Sequence, residues 1–255
     1  MHANPPRLGI VSAMQQEQSG LIEHMEAPVT SRRGMRDYVC GRLWGREVVC
    51  VLSRMGKVAA AATTATLIES FGVGEILFTG VAGGTANEVK IGDLVLAEQL
   101  IQHDMDARPL FPRWEVPLTQ RASFASDAGM TARLAQACEE FLKQDLPQVI
   151  ASAERDSFQL ANPRLHRGLI ASADEFVHGP DRAAQLKALL PDLLAVEMEG
   201  AAVAQVCYEF GLPFAVIRTI SDEANAQSAV DFLRFVDRIA SQYALHVVRR
   251  YCLAA

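Results

Sequence analysis

The sequence predicts a single α/β domain of three layers, a central twisted sheet of mostly parallel or mixed strands with helices on its faces. Three observations carry this. Short apolar runs alternate from end to end with longer, Ala-rich amphipathic runs. Several apolar runs, such as Ile76 to Val81 (ILFTGV), are nearly continuous, as in strands covered on both sides. No repeat, low-complexity linker or break in composition divides the 255 residues, so one domain over 1–255 is expected, with 1–7 as a flexible tail.

The elements follow in order. The polar tail leads into a strand, Leu8 to Ala13 (LGIVSA). Gln15 to Glu26 reads as a helix with Leu21, Ile22 and Met25 on one face. Asp37 to Arg42 and Glu47 to Leu52 read as a hairpin turning near Trp44-Gly45. Gly56 opens an Ala- and Thr-rich helix, Lys57 to Ser70, whose small side chains suit close packing on a sheet; Phe71-Gly72-Val73-Gly74 ends it. After strand 76–81, Gly83-Gly84 is expected to turn the chain into a strand from Asp93 to Ile101. A loop with Pro109, Pro112 and Pro117 precedes a helix from Gly129 to Lys143, and residues 144–164 carry no readable pattern. Gly168 to Ala173 is a strand, and Pro180 to Leu190 a helix with proline in its first turn. Then come a strand from Leu193 to Met198, a helix from Gly200 to Phe210 and a strand from Pro213 to Ile220. A long amphipathic helix, Ser228 to Cys252, closes the chain.

Composition removes several functions. Half the residues are apolar, too many for a disordered chain. The formal charge of −6, with no basic run, argues against nucleic-acid binding, which rests on neutralising phosphates. No apolar stretch approaches the ~18–20 residues of a membrane span, and the opening MHANPPRLGIVSA lacks an apolar signal core. The five cysteines form no CxxC pair, so neither a zinc site nor a disulfide framework is expected, and a reducing cytoplasm is the simplest location. His103, Asp104 and Asp106 match no metal-ligand spacing. Arg32, Arg33 and Arg36 read as a solvated face.

In sheets of this kind ligands bind at the carboxyl ends of the strands. Four such ends carry polar or glycine-rich groups: Met14-Gln15-Gln16-Glu17, Ala82-Gly83-Gly84, Val196-Glu197-Met198-Glu199-Gly200 and Arg218-Thr219-Ile220-Ser221-Asp222. Singly, each has an ordinary explanation. Glu17 fits a first-turn acid facing a helix dipole. Glu197 and Glu199 fall on one side of a strand, where one acid could pair with Arg218. Ser221 or Asp222 fits a helix cap, and the glycines fit a tight turn. Together, three acids and an arginine at corresponding strand ends point to a site. Carboxyls of unequal proton affinity suit glycosidic cleavage. One protonates the leaving group, one activates water and one accepts from sugar hydroxyls. This leaves the sugar and the leaving group open.

Seven segments then occur in the order found in a known family: Gly9-Ile10-Val11-Ser12-Ala13-Met14-Gln15-Gln16-Glu17, Gly56-Lys57-Val58-Ala59-Ala60, Thr79-Gly80-Val81-Ala82-Gly83-Gly84, Gly92-Asp93-Leu94-Val95-Leu96, His103-Asp104-Met105-Asp106, Ala195-Val196-Glu197-Met198-Glu199-Gly200-Ala201-Ala202 and Ile217-Arg218-Thr219-Ile220-Ser221-Asp222. The chain resembles the 5′-methylthioadenosine/S-adenosylhomocysteine nucleosidases of the nucleoside phosphorylase superfamily, from about residue 8 to 250. VEMEGAA and RTISD are the most specific pieces. The resemblance implies that Asp222 protonates purine N7 and that Glu17 activates the attacking water. It implies that Glu199 holds the ribose hydroxyls over Met198, with Glu197 and Arg218 ordering that side of the pocket. Phe176 would stack on the base, the backbone of Val177 would read its edge, and Ser221 would position Asp222. Neither metal nor organic cofactor is implied. A homodimer is implied, with a loop of one subunit closing the partner's pocket at the 5′ end.

The chain departs from the family pattern at several points. Gln15 and Gln16 stand where acids are common, Val81 replaces a serine in the glycine-rich segment, and Ala173 replaces a glycine. The run from Arg108 to Pro117 is its own, and Phe111 and Trp114 fit either the 5′ end of the pocket or a subunit contact. Three other readings stand beside the nucleosidase: a phosphorylase, with Arg54 and Lys57 as remnants of an anion pocket; a hydrolase of another nucleoside, futalosine-like or adenosyl; and a non-catalytic nucleoside binder.

Overall fold

The computed structural model describes residues 5–160, 162–224 and 228–254, with backbone alone at 19 and 228–231. Ten strands form one sheet: β1 (Leu8–Ser12), β2 (Glu26–Arg33), β3 (Arg36–Leu43), β4 (Arg46–Leu52), β5 (Glu75–Gly84), β6 (Leu94–Gln102), β7 (Ser123–Ala125), β8 (Leu165–Ser172), β9 (Leu193–Glu197) and β10 (Phe214–Asp222). The helices are α1 (Ser19–Glu23), α2 (Lys57–Phe71), α3 (Ala128–Glu140), α4 (Leu146–Val149), α5 (Ser152–Ser157), α6 (Pro180–Leu189), α7 (Gly200–Phe210), α8 (Ser228–Phe235) and α9 (Ser241–Leu253).

The strand order is β10-β6-β8-β9-β5-β1-β4-β3-β2, with β7 beside β6. The sheet is mixed: β1 runs parallel to β4 and β5, and β10 parallel to β5, whereas β10 is antiparallel to β6 and β5 to β9. Because β10 bonds both β5 and β6, the strands β5, β10, β6, β8 and β9 close into a ring. No sequence pattern announces that closure.

Both faces of the sheet are covered, which explains the continuous apolar runs. Ile10, Leu77 and Ile217 join one core with Phe141, Tyr243 and Val247 from the side of α3 and α9. Val11, Ile76 and Phe78 join the other with Leu67, Ala201 and Val203 from α2 and α7. Adjacent residues of a strand thus serve opposite cores, as its period of two requires. Gly72 and Gly211 cap α2 and α7 in the left-handed conformation. Trp44 and Gly45, both at positive φ, form a two-residue turn between Leu43 and Arg46, as the sequence predicts.

Several expectations need correction. The helix expected over 15–26 is a single 3₁₀ turn (Gln15–Glu17) followed by the short α1. Glu26 instead begins β2, an edge strand whose residues are nearly all exposed and so show no alternation. Its Pro28 is tolerated at an edge, where one ladder is missing. Gly83 and Gly84 do not turn the chain; they continue β5 and pair with Val196 and Ala195. The strand β7 falls within the expected proline-containing loop, and the helices α4 and α5 fall where the sequence shows no readable pattern. A π-helical turn, Phe141–Asp145, links α3 to α4. The C-terminal helix holds another, Val236–Ala240, between α8 and α9. Of the expected tail, residues 1–4 lie outside the described residues. Arg7 is anchored, donating to the Phe71 carbonyl at 2.9 Å and pairing with Glu47 at 3.3 Å.

Candidate active site

The carboxyl ends of β1, β5, β9 and β10 meet around a cleft of about 570 Å³ empty volume. At the end of β1 the 3₁₀ turn folds Glu17 back on the chain. Its Oε2 accepts from the backbone N–H groups of Ala13 and Met14, both at 2.9 Å, and its Oε1 accepts from Val81 N–H at 3.1 Å. The carboxyl thus ties β1 to β5. Glu17 is buried, and burial raises its proton affinity above the ordinary carboxylate range; Arg218 and the three amides oppose the rise without cancelling it.

The strand β9 ends at Glu197, not at Met198. Glu199 leaves the strand conformation (φ −136°, ψ −38°) and precedes α7, so the two acids do not share a strand face as expected. Their settings differ. Glu197 accepts from Ser172 Oγ, from the N–H groups of Glu199 and Gly200, and from Arg218 at 2.5 Å. Glu199 has Gly56 N–H as partner, 2.8 Å from its Oε1. Burial, and next the neighbouring Glu197 carboxylate, push Glu199 up to about 8.

The strand β10 continues past Ile220 to Asp222, and its register against β5 shifts between those two residues. Ser221 and Asp222 therefore lie within the sheet rather than capping a helix. The shift is a bulge, a device that re-aims side chains. Asp222 Oδ2 accepts from Ser221 Oγ and Oδ1 from Ala224 N–H, both at 2.9 Å. Phe176 and Val177 come from the segment between β8 and α6. Phe176 is 41% exposed and meets the Phe232 ring edge-on at 5.7 Å.

Of the eleven residues singled out by sequence, ten line this cleft: Glu17, Val81, Gly83, Phe176, Val177, Glu197, Met198, Glu199, Ser221 and Asp222. Arg218 does not. It lies buried behind the wall, against Glu197, with its guanidinium 3.9 Å from the centre of the Phe78 ring. Sequence reasoning missed Met14, Met55 and Phe232 as lining residues. Met14 adjoins Glu17 and Met55 adjoins Gly56, so proximity to those motifs was an available signal; Phe232 had none. Phe111 and Trp114 are not among the lining residues. Trp114 packs near Val177 and donates to the His103 carbonyl at 3.2 Å.

The other candidate clusters are engaged elsewhere. Asp104 pairs with Lys57 at 2.6 Å and Asp106 with Arg108 at 2.5 Å. Among the described residues no group of three or more His, Cys, Asp and Glu is placed to hold a metal ion. Arg54 donates to the Met35 carbonyl at 2.7 Å. No Lys, Arg or His is among the described residues lining the cleft. What the cleft offers is carboxyl groups in contrasting environments beside Met198 and Phe176. That arrangement suits an uncharged ring and a sugar better than a phosphate.

The raised affinity of Glu199 has a consequence for stability. Its folded pKa, about 8, exceeds the ~4.3 of an unfolded glutamate. Across that interval the folded state holds the extra proton, so stability falls as pH rises. Glu199→Gln has no such proton to lose. Its Tm is expected to decline less than that of the wild type between about pH 5 and pH 9, as thermal melts at stepped pH would show. Parallel curves for the two proteins would contradict the assignment.

The phosphorylase superfamily sequence profile matches residues 7–252. A 5′-methylthioadenosine/S-adenosylhomocysteine nucleosidase of Shewanella halifaxensis is 35% identical over 242 residues, 95% of this chain and 97% of that protein. Among solved structures, the Neisseria meningitidis 5′-methylthioadenosine/S-adenosylhomocysteine nucleosidase in complex with methylthio-immucillin-A superposes with a TM-score of 0.84. It is 31% identical, over 97% of this chain and 98% of that one. The futalosine hydrolase of Helicobacter pylori superposes with a TM-score of 0.81 at 31% identity, over 96% and 97% of the two chains.

Proposed function

This chain belongs to the 5′-methylthioadenosine/S-adenosylhomocysteine nucleosidases of the phosphorylase superfamily, and from that membership we propose that it hydrolyses the glycosidic bond of 5′-thio-substituted adenosines, releasing adenine and a thioribose. One observation carries the reading. Glu17, Glu199 and Asp222, from three separate parts of the chain, border one cleft with Met198 and Phe176.

The division of labour follows from the three settings. Asp222, held by Ser221 and by the Ala224 amide, gives a proton to purine N7, so adenine leaves neutral. Glu17, clamped by three amides and near the Arg218 charge, orients water and takes its proton. Glu199 accepts from the ribose hydroxyls, a bond that strengthens as positive charge grows on the sugar. Met198 packs beneath the ribose. Phe176 covers the base, and Val177 meets its edge. Glu197 and Arg218 form a buried pair that fixes the floor.

Water is favoured over phosphate as nucleophile because the carboxylate of Glu17 repels an anion at C1′, and no cation lines the described cleft to offset it. A homodimer in the cytoplasm is part of the same reading. The exposed Leu110 and Leu118 lie in and beside the segment that the resemblance places near either the 5′ end of the pocket or a subunit contact, and the cysteines are free thiols.

Adenine release from methylthioadenosine, adenosylhomocysteine, adenosine, inosine and futalosine tests the substrate assignment. The two thioadenosines are expected to be cleaved at least tenfold faster, in kcat/KM, than the rest, a difference of about 1.4 kcal/mol. Preference for futalosine would move the chain to the other hydrolase among its structural neighbours. Release of base from none would leave a nucleoside binder.

A further inference from the structure

Two segments prominent in the sequence, Gly56-Lys57-Val58-Ala59-Ala60 and His103-Asp104-Met105-Asp106, hold no residue that lines the cleft. The fold brings them together at the start of α2. Lys57 Nζ donates to Asp104 Oδ1 at 2.6 Å and to Gln102 Oε1 at 3.1 Å. The other Asp104 oxygen accepts from the backbone N–H of Asp174 at 3.2 Å. Asp174 closes the circuit, because its Oδ1 accepts from the backbone N–H of Lys57 at 2.7 Å. The first turn of α2 is thereby tied to the segment after β8, the one that carries Phe176 and Val177.

Gly56 stands at the centre of this arrangement. It is the N-cap of α2 and has no side chain with which to cap the helix. Its φ of +97° suits glycine alone, and a Cβ there would come 3.0 Å from Asp174 Oδ1. The same freedom lets the peptide groups on either side of Gly56 swing, so their orientation has to be imposed from outside. Asp174 imposes it by accepting from the next N–H, that of Lys57, as a cap supplied by another segment. The N–H of Gly56 then meets Glu199 Oε1 at 2.8 Å, and among the described residues it is the only hydrogen-bond donor to that carboxyl. The positive end of the α2 dipole favours both acids at this spot.

We infer that Asp174 is a positioning residue for the reaction: by capping α2 from the base-side segment it aims the N–H of Gly56 at Glu199 and so fixes the carboxyl that meets the ribose hydroxyls. The inference rests on the nucleosidase reading, which gives Glu199 that task. Asp174 is not among the residues that line the cleft, so its side chain acts on the sugar through Glu199. Asp104, paired with Lys57 and holding the Asp174 backbone, supports the cap from behind.

The experiment is steady-state kinetics of wild type, Asp174→Ala, Asp174→Asn and Asp104→Ala on two substrates, methylthioadenosine and its 2′,3′-dideoxy counterpart, which offers Glu199 no hydroxyl. Asp174→Ala is expected to lower kcat/KM for methylthioadenosine about fivefold, the equivalent of one lost helix cap. The dideoxy compound is expected to lose less than about twofold. Asp174→Asn, whose side-chain oxygen can still accept from Lys57 N–H, restores most of the loss. Asp104→Ala alters a side chain that is 32% exposed, so the fold tolerates it. It is expected to show the same bias between substrates, with a loss of about threefold on methylthioadenosine. A partly unfolded variant loses activity on both compounds alike, so the bias separates positioning from general damage. Equal losses on the two substrates, or no loss on either, would overturn the role of Asp174. A wild-type enzyme that releases no adenine from methylthioadenosine would overturn the nucleosidase reading itself, a result that the variant ratios cannot mimic.

Discussion

Asp222→Asn is expected to halt adenine release and leave the nucleoside bound. Adenine expelled as an anion is a poor leaving group, and a proton on N7 makes it neutral; general acid catalysis of this kind contributes about 10²–10⁴-fold. The amide cannot supply that proton, so kcat falls by about that factor. The geometry keeps the variant folded. The Asn oxygen can still accept from Ala224 N–H, and the Ser221 hydroxyl, which also lies 3.3 Å from the Ala82 carbonyl, can turn to accept from the new amide while donating to that carbonyl. Dissociation constants measured by calorimetry should therefore stay near those of a slowly turning-over wild-type complex. A variant with nearly intact kcat would move the acid to another residue.

The second large effect is expected at Glu17. In the proposed reaction water loses a proton to this carboxylate as it attacks C1′, and Glu17→Gln removes the base at the cost of about 10²–10⁴ in kcat/KM. The structural penalty is modest but real. Glu17 accepts three backbone N–H groups through both oxygens, and an amide cannot. One of its two positions must face a donor with a donor, which costs about 1–3 kcal/mol. Kinetics and thermal stability should thus be measured together. The pH profile separates base from scaffold. Glu17 acts when ionised, so in the wild type kcat/KM drops as pH falls, with a midpoint above the ordinary carboxylate range because burial raises its affinity. The residual activity of Glu17→Gln lacks that acid limb. An unchanged acid limb in the variant would assign the titration to a different group.

How far the sequence revealed this arrangement depends on the kind of signal. Strands buried on both faces, such as β1 and β5, were readable because their runs are mostly apolar, and α7 because glycines bracket an apolar face. The edge strand β2 was not, since exposure on both sides erases its period. Residues 144–164 hold the short helices α4 and α5, and α4 is entered from α3 through a π-helical turn, which breaks the 3.6-residue repeat that reading relies on. The site residues were found because acids in apolar segments are costly and therefore conspicuous. Their relations were harder. Chemistry at strand ends led to Glu199, but not to its departure from the strand, and the bulge that carries Asp222 beyond Ile220 leaves no mark in the sequence. Phe232 reaches the cleft through the path of α8, a tertiary fact.

The central claim is that water, held by Glu17, is the group that takes the sugar from the base. It is tested most directly by running the reaction in oxygen-18 water with excess inorganic phosphate and weighing the sugar before the anomeric oxygen exchanges. The account predicts a free thioribose carrying one heavy oxygen at C1. An unlabelled sugar 1-phosphate would contradict it.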